Sequence, residues 1–401
     1  MISREIYLEK LRLLKGQKLI KVITGIRRSG KSTLLETFKN ELIESGVSEK
    51  NIIFLNFEER ENLHLANWTS LYDEIINRLT KNDSKHYVFL DEVQLVTNFE
   101  KLVNGLFTKK NIDLYVTGSN AYFLSSELAT LLTGRYIAIN VQPYSFSEYT
   151  LANIEEKNSD KLFRKYINTS SFPEAVTLAK SSESLINDYL QSIYDTVIIK
   201  DIAQRNKLRN LHNLQRIISF VFDSVGSYIS PTNIANALNT NSNKTISHNT
   251  VSKYLDFLTQ SYIIYPAPRY DIKGKELLTT NQKYYLVDLG LKNILTTNNY
   301  DADLGRKLEN VVYFELLRRG GKIYSGKNND KEIDFVVQKA NNFREYYQVA
   351  FTVNDDKTFE REISAFRNIR DNYPKYLLTL DFDNTNIDGI QKINAIDWLL
   401  S

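Results

Sequence analysis

The chain predicts an α/β fold in which a parallel sheet carries helices on both faces, followed by a helical, winged-helix-like part and a C-terminal α/β part. Three observations lead there. Strand-like apolar runs at residues 19–24, 51–57, 86–91, 112–117 and 136–141 alternate with helical stretches, the pattern of a sheet buried on both sides. The spacing G-x-x-x-x-G-K-S spans residues 25–32, between the first run and a helical pattern at 31–45 that Gly46 ends. At 401 residues the chain exceeds what one core usually supports, so two or three domains are expected.

The strand–loop–helix unit at 19–45 is a P-loop in its expected context. Backbone N–H groups of such a loop surround a phosphate, and the helix dipole points its positive end at the anion. Gly25, Arg28, Ser29, Gly30, Lys31, Ser32 and Thr33 are the candidate nucleotide-binding residues. Lys31 would reach the β- and γ-phosphates, and the Ser32 hydroxyl would hold Mg²⁺. A nucleoside triphosphate is the implied ligand.

The run Tyr87-Val88-Phe89-Leu90 ends in Asp91-Glu92, which places two carboxylates at the C-terminal edge of a second buried strand. Asp91 is the candidate Mg²⁺ ligand through water. Glu92 is the candidate general base that orients and deprotonates the attacking water. The fourth run ends in Thr117-Gly118-Ser119-Asn120, so Ser119 or Asn120 would touch the γ-phosphate or the water, or simply cap the next helix. A helical stretch at 125–132 follows. Arg135, just before the fifth run, is a candidate arginine finger, a group worth on the order of 10³–10⁵ in rate, although a solvated arginine at such a junction is ordinary.

Gly-Ile-Arg-Arg-Ser-Gly-Lys-Ser, Phe-Leu-Asp-Glu-Val-Gln, Thr-Gly-Ser-Asn, Leu-Thr-Gly-Arg and Gln142-Pro143-Tyr144-Ser145-Phe146-Ser147-Glu148-Tyr149 together resemble the AAA+ ATPases. Within them they resemble the bacterial and archaeal family that fuses an AAA+ module to a C-terminal domain of unknown function. The resemblance covers residues 15–150. It implies ATP and Mg²⁺ as cofactors, a sensor role for Asn120 or Ser119, and a finger role for Arg135 delivered to a neighbouring subunit. A homo-oligomer, ring or dimer, would then complete the site.

Residues 1–150 are thus expected to form the ATPase domain, 151–208 a helical connector, 209–280 a winged helix-turn-helix-like domain and 281–401 a nuclease-like domain. Pro173 interrupts the connector. In the third part, helical patterns at 211–224, 231–238 and 246–260 precede a strand at 262–265, and a polar turn at 239–244 separates the last two. The last helix would offer Ser247, His248, Asn249, Ser252 and Lys253 to a DNA groove. Lys244, Lys253, Arg269, Lys273 and Lys275 give a modest positive footprint, and a pure protein-interaction module has the same pattern.

The region after Asp288 resembles the PD-(D/E)XK nuclease core: a helix from Gly305 to Arg319, a turn at Gly320-Gly321, and a hairpin from 332–337 and 346–350. By that resemblance Glu309 and Asp334 match the metal-holding carboxylates, and metal-assisted hydrolysis would need a further acid and a lysine. Here Gln348-Val349-Ala350 stands in place of Glu-x-Lys. Nothing in the spacing brings Lys357 or Lys331 into the gap. The Glu309, Asp334 and Gln348 site is therefore expected to be catalytically degenerate and kept for DNA binding or for the fold.

Hydrophobic residues make up 42% of the chain, no run of ~20 apolar residues occurs, and Met1-Ile2-Ser3-Arg4-Glu5 opens an amphipathic pattern. A soluble, cytoplasmic protein with no membrane partner is expected. Zero Cys excludes disulfides and thiolate metal sites, and 4 His disfavour a His-rich zinc site. A net charge of +3, from 51 basic and 48 acidic residues, neither demands nor forbids nucleic acid. Three functions follow: an ATPase whose cycle moves a C-terminal DNA-binding-like module, a nucleotide-dependent switch for a protein partner, or an ATP-driven metal-dependent nuclease.

Overall fold

Val22 and Ile23 are neighbours in one strand, yet they belong to two different hydrophobic cores. That division, repeated along the sheet, organises the N-terminal unit. The computed structural model describes residues 2–80, 84–119, 134–208, 210–240, 245–295, 303–367 and 369–401. Two compact units result: Met1–Pro143 with Gln260–Tyr262, and Tyr144–Thr259 with Ile263–Ser401.

In the first unit, strands β1 (Ile20–Thr24), β2 (Ile52–Asn56), β3 (His86–Asp91), β4 (Ile112–Gly118) and β5 (Tyr136–Asn140) form a parallel sheet in the order β2-β3-β4-β1-β5. Every residue of β1, β3 and β4 is buried, as in a strand covered on both faces. Because successive side chains point to opposite faces, Val22, Val88, Leu90 and Val116 pack toward α3 (Trp68–Arg78) and α4 (Phe99–Phe107). Ile23, Phe89 and Tyr115 pack toward α1 (Glu5–Leu14) and α2 (Lys31–Glu44). Phe89 and Tyr115 stack with centroids 4.7 Å apart, and Phe38 of α2 meets Phe89 edge-on at 6.4 Å. All strands run the same way, so Thr24, Asp91 and Gly118 finish at one edge.

The second unit begins with a capping box. Ser145 Oγ accepts from the Glu148 N–H at 3.0 Å, and the Glu148 carboxylate accepts from the Ser145 N–H at 2.8 Å. The motif around Gln142–Tyr149 thus starts the helix Phe146–Ala152. Helices Ser159–Asn168, Pro173–Leu178 and Glu183–Ile193 follow, the last continuing through a π-helical stretch, Tyr194–Asp201. Pro173 opens its helix, at the position where a missing N–H costs nothing.

Helices Leu211–Asp223, Pro231–Asn239 and His248–Gln260 lead into an antiparallel pair, β6 (Ile264–Asp271) and β7 (Glu276–Leu286). Tyr262 sits at φ 58°, a left-handed conformation that ends the turn, so the strand begins two residues later than its apolar pattern does. Six further strands follow: β8 (Lys322–Asn328), β9 (Lys331–Gln338), β10 (Arg344–Val349), β11 (Lys375–Thr379), β12 (Thr385–Ile387) and β13 (Ile390–Asn394). All eight share one mixed sheet in the order β12-β13-β11-β10-β9-β8-β6-β7. Backbone pairing of β6 with β8 carries the sheet across position 280, which lies inside β7. Helix Leu304–Arg318 is buried over most of its surface.

Candidate functional site

Gly25 turns the chain out of β1 at φ 136°, and a Cβ there would stand 2.0 Å from the Val141 carbonyl oxygen. No other residue fits. Arg28 and Gly30 also have positive φ, at 69° and 90°, and this left-handed punctuation winds the loop around the start of α2. Gly30 caps the 14-residue α2 without a side-chain hydrogen bond, so the helix's first N–H groups remain directed into the loop.

Lys31 is buried, and its Nζ donates to the carbonyls of Gly25 at 3.2 Å and Ile26 at 3.1 Å. Glu92 Oε1 lies 3.8 Å from it. Asp91, at the end of β3, accepts a hydrogen bond from Thr117 Oγ1 at 2.5 Å and another from the Ser32 hydroxyl. Thr117 Oγ1 in turn accepts the Glu92 N–H at 2.8 Å, so one β4 hydroxyl sets both carboxylate residues. Glu92 has φ 53°, and the Gln94 side-chain amide donates to its carboxylate.

The electrostatics of this group are incomplete. Burial pushes Lys31 below the usual lysine range against the pull of Glu92 and Asp91. Burial pushes Asp91 above the usual carboxylate range, although Ser32 and Thr117 bond its charged form. Asp91 Oδ2 and Ser29 Oγ are buried with no hydrogen-bond partner among the described residues. A buried ammonium, a buried carboxylate with a spare oxygen and the uncapped N-terminus of α2 are complementary to a metal-bound polyphosphate. The residues present fit that group.

Ser119 is buried immediately after β4 at the same edge, and Thr33 lies in the first turn of α2. Arg28 is exposed. Asn120 and the 125–132 stretch lie outside the described residues, as does Lys244. Arg135 is not brought to the loop. Its carbonyl accepts the Ile20 N–H, its guanidinium donates to Asn104 Oδ1 at 3.0 Å and it lies 5.7 Å over the Phe107 ring. This is the opposite edge of the sheet.

Sequence reasoning did not assign Arg4. Buried ahead of α1, it donates to the Ser29 carbonyl at 2.9 Å and to the Pro143 carbonyl at 3.4 Å, lying 4.7 Å over the Tyr7 ring. Its one sequence signal is a cation placed directly before an amphipathic helix.

In the second unit, Glu309 and Asp334 do come together, but around a lysine that the motif did not indicate. Lys283 Nζ of β7 lies 2.7 Å from Glu309 Oε1 and 3.3 Å from Asp334 Oδ1, and pairs also with Glu332. Burial alone would lower its pKa, yet Glu309, Asp334 and Glu332 together raise it well above the usual lysine value. Tyr285 OH donates to Glu309 at 2.6 Å. Gln348 accepts the Asp334 N–H at 3.2 Å and donates to Glu362 at 2.7 Å.

Residues 17–150 match the family described as AAA domain, and residues 160–302 match a domain of unknown function, DUF8612. An uncharacterized protein of Haemophilus influenzae is 40% identical over 404 residues, covering 100% of this chain and 99% of its own. This chain belongs to the family of that protein. Another family relative, an uncharacterized protein of Methanocaldococcus jannaschii, is 28% identical over 399 residues, covering 94% of this chain and 85% of its own. The Walker-type ATPase of Pyrococcus abyssi shares the fold, with a TM-score of 0.52 at 15% identity over 74% of this chain and 96% of its own. The N-terminal unit of this family member is an AAA-type P-loop domain. No helix among the described residues is long and apolar enough to cross a membrane.

Proposed function

We propose that this protein binds ATP with Mg²⁺ at the loop 25–32 and hydrolyses it, and that the nucleotide cycle moves the C-terminal unit on DNA. One observation carries the catalytic part: Lys31 and Asp91, both buried, the latter with a carboxylate oxygen that no described donor reaches, stand at one sheet edge beside the open start of α2. Lys31 and the loop amides would hold the phosphates. Ser32 and Asp91 would hold Mg²⁺, which when bound neutralises charge on the phosphoryl oxygens. Glu92 would orient and deprotonate water from the position that Thr117 and Gln94 give it. Ser119, Asn120 and Arg135 are the proposed γ-phosphate sensor and in-trans finger.

Phosphate release with and without DNA tests the proposal. Glu92→Gln is expected to lower turnover by ~10²–10⁴ while ATP binding persists, and Lys31→Ala to abolish binding measured by calorimetry. Wild-type rates in both variants would end this reading.

A DNA role rests on the three helices followed by β6 and β7, an order that matches a winged helix. A second reading, a nucleotide-dependent switch for a protein partner, is favoured by the charge of the exposed face of His248–Gln260. Lys253 is exposed there, but so is Asp256, and the remaining exposed residues Ser247, His248 and Asn249 are polar. Absence of steep salt dependence in DNA binding would favour the protein partner.

A further inference from the structure

A nuclease-like core implies a divalent metal at Glu309, Asp334 and the position of Gln348, and the residues here do not fit one. The place between the carboxylates is taken. Lys283, only 3% exposed, puts its ammonium 2.7 Å from Glu309 Oε1, 3.3 Å from Asp334 Oδ1 and against Glu332. Glu332 and Asp334 are two residues apart on β9 and so share a face of the sheet. Glu309 enters from helix Leu304–Arg318 and Lys283 from β7. The ammonium therefore faces acids from two separate elements.

Part of the remaining coordination capacity is also spent. Asp334 Oδ2 accepts the Val349 N–H at 2.9 Å, and Glu309 Oε1 accepts the Tyr285 hydroxyl in addition to Lys283. A Cβ on Gly226 would come within 3.0 Å of Glu309 Oε2, so backbone closes that side. Gln348 is turned to scaffolding: its oxygen holds the Asp334 N–H and its amide holds Glu362, which Arg361 grips at 2.7 Å. Among the described residues no group of three or more acids or histidines is arranged to hold a metal ion. A hard cation such as Mg²⁺ needs oxygens at ~2.0–2.1 Å in near-octahedral geometry, whereas this cluster is spaced for an N–H donor.

We propose that Lys283 is the permanent cation of this cluster, its ammonium standing where a divalent metal would stand, so that the three carboxylates form an ion network joining β7, β9 and helix Leu304–Arg318. The corollary is that removing the ammonium creates a metal site. Lys283→Met keeps an unbranched stem, one atom shorter, and leaves Glu309, Glu332 and Asp334 facing one another without a counter-ion.

Mn²⁺ binding by electron paramagnetic resonance and thermal melting, on the full chain without nucleotide, test this. Wild type and variant carry the same loop 25–32, so their difference reports the second unit alone. The expected result is a Lys283→Met protein that melts below wild type, gains one Mn²⁺ per chain over wild type, and melts higher when Mn²⁺ is added. Wild-type Mn²⁺ binding that disappears in Asp334→Asn would overturn the proposal. So would a Lys283→Met protein that melts like wild type and gains no ion. Should Lys283→Met not accumulate as folded protein, Lys283→Met/Asp334→Asn is expected to recover it by removing a buried charge, and a failure to recover would equally overturn the proposal.

Discussion

Gly25 shows how little latitude a single position has when a loop passes close to a strand. Its backbone is left-handed, and the Val141 carbonyl occupies the space a methyl would need. Gly25→Ala must displace either the loop or the end of β5, at a cost on the order of 2–4 kcal/mol. A lowered melting temperature together with weakened ATP binding is the expected outcome, and a variant that melts and binds like wild type would refute the steric account. Thr117 is a comparable case among polar residues. One hydroxyl donates to Asp91 and accepts from the Glu92 backbone, so two adjacent acidic residues share one anchor.

At the scale of elements, α1 contributes more than a hydrophobic face. Tyr7, Leu8 and Leu11 pack it onto the sheet, and the residue just ahead of it, Arg4, reaches the loop carbonyl at Ser29. Arg4 therefore ties the start of α1 to the loop. Arg4→Ala is expected to raise the Kd for ATP by about tenfold or more, since a charged hydrogen bond to a buried carbonyl is worth about 1.5–3 kcal/mol. Arg4→Lys should recover little, because one ammonium cannot reach both Ser29 and Pro143 carbonyls as the fork does. Equal nucleotide affinity in wild type and Arg4→Ala would show that α1 serves stability alone.

For the whole molecule, the position of Arg135 raises the question of assembly. It precedes β5, and the loop follows β1, so the two lie at opposite edges of the sheet, separated by the length of a five-residue strand, ~16 Å. Within one chain the guanidinium lies on Asn104 and Phe107, away from the loop 25–32. If Arg135 acts as a finger it acts on a second copy, which makes turnover a property of the oligomer. Arg135→Ala and Lys31→Ala proteins, each inactive alone, are then expected to regain ATPase activity on mixing, because one supplies an intact loop and the other an intact arginine. No recovery, with sedimentation showing that the two proteins associate, would remove Arg135 from the reaction.

Local pattern determined much of this protein. The five parallel strands follow from apolar runs alternating with helices, and 86–91 coincides with β3. The loop 25–32 and the Asp91-Glu92 pair follow from spacing, because a phosphate cradle needs its glycines, lysine and hydroxyl at fixed offsets within one strand–loop–helix unit. Such features are short-range, so the chain states them directly. Tertiary structure alone decided the rest. Arg4 meets Ser29, and Lys283 meets Glu309 and Asp334, across separations of 25, 26 and 51 residues. In the second unit the sheet runs on from β6 to β8, across position 280, where the order of helical and strand patterns suggested a boundary. A lysine between Gln282 and Tyr284 has no local partner to announce it. Only when β7, β9 and a buried helix converge does its charge acquire three carboxylates, and only then does a site that reads as a missing metal centre become an ion network with its own cation.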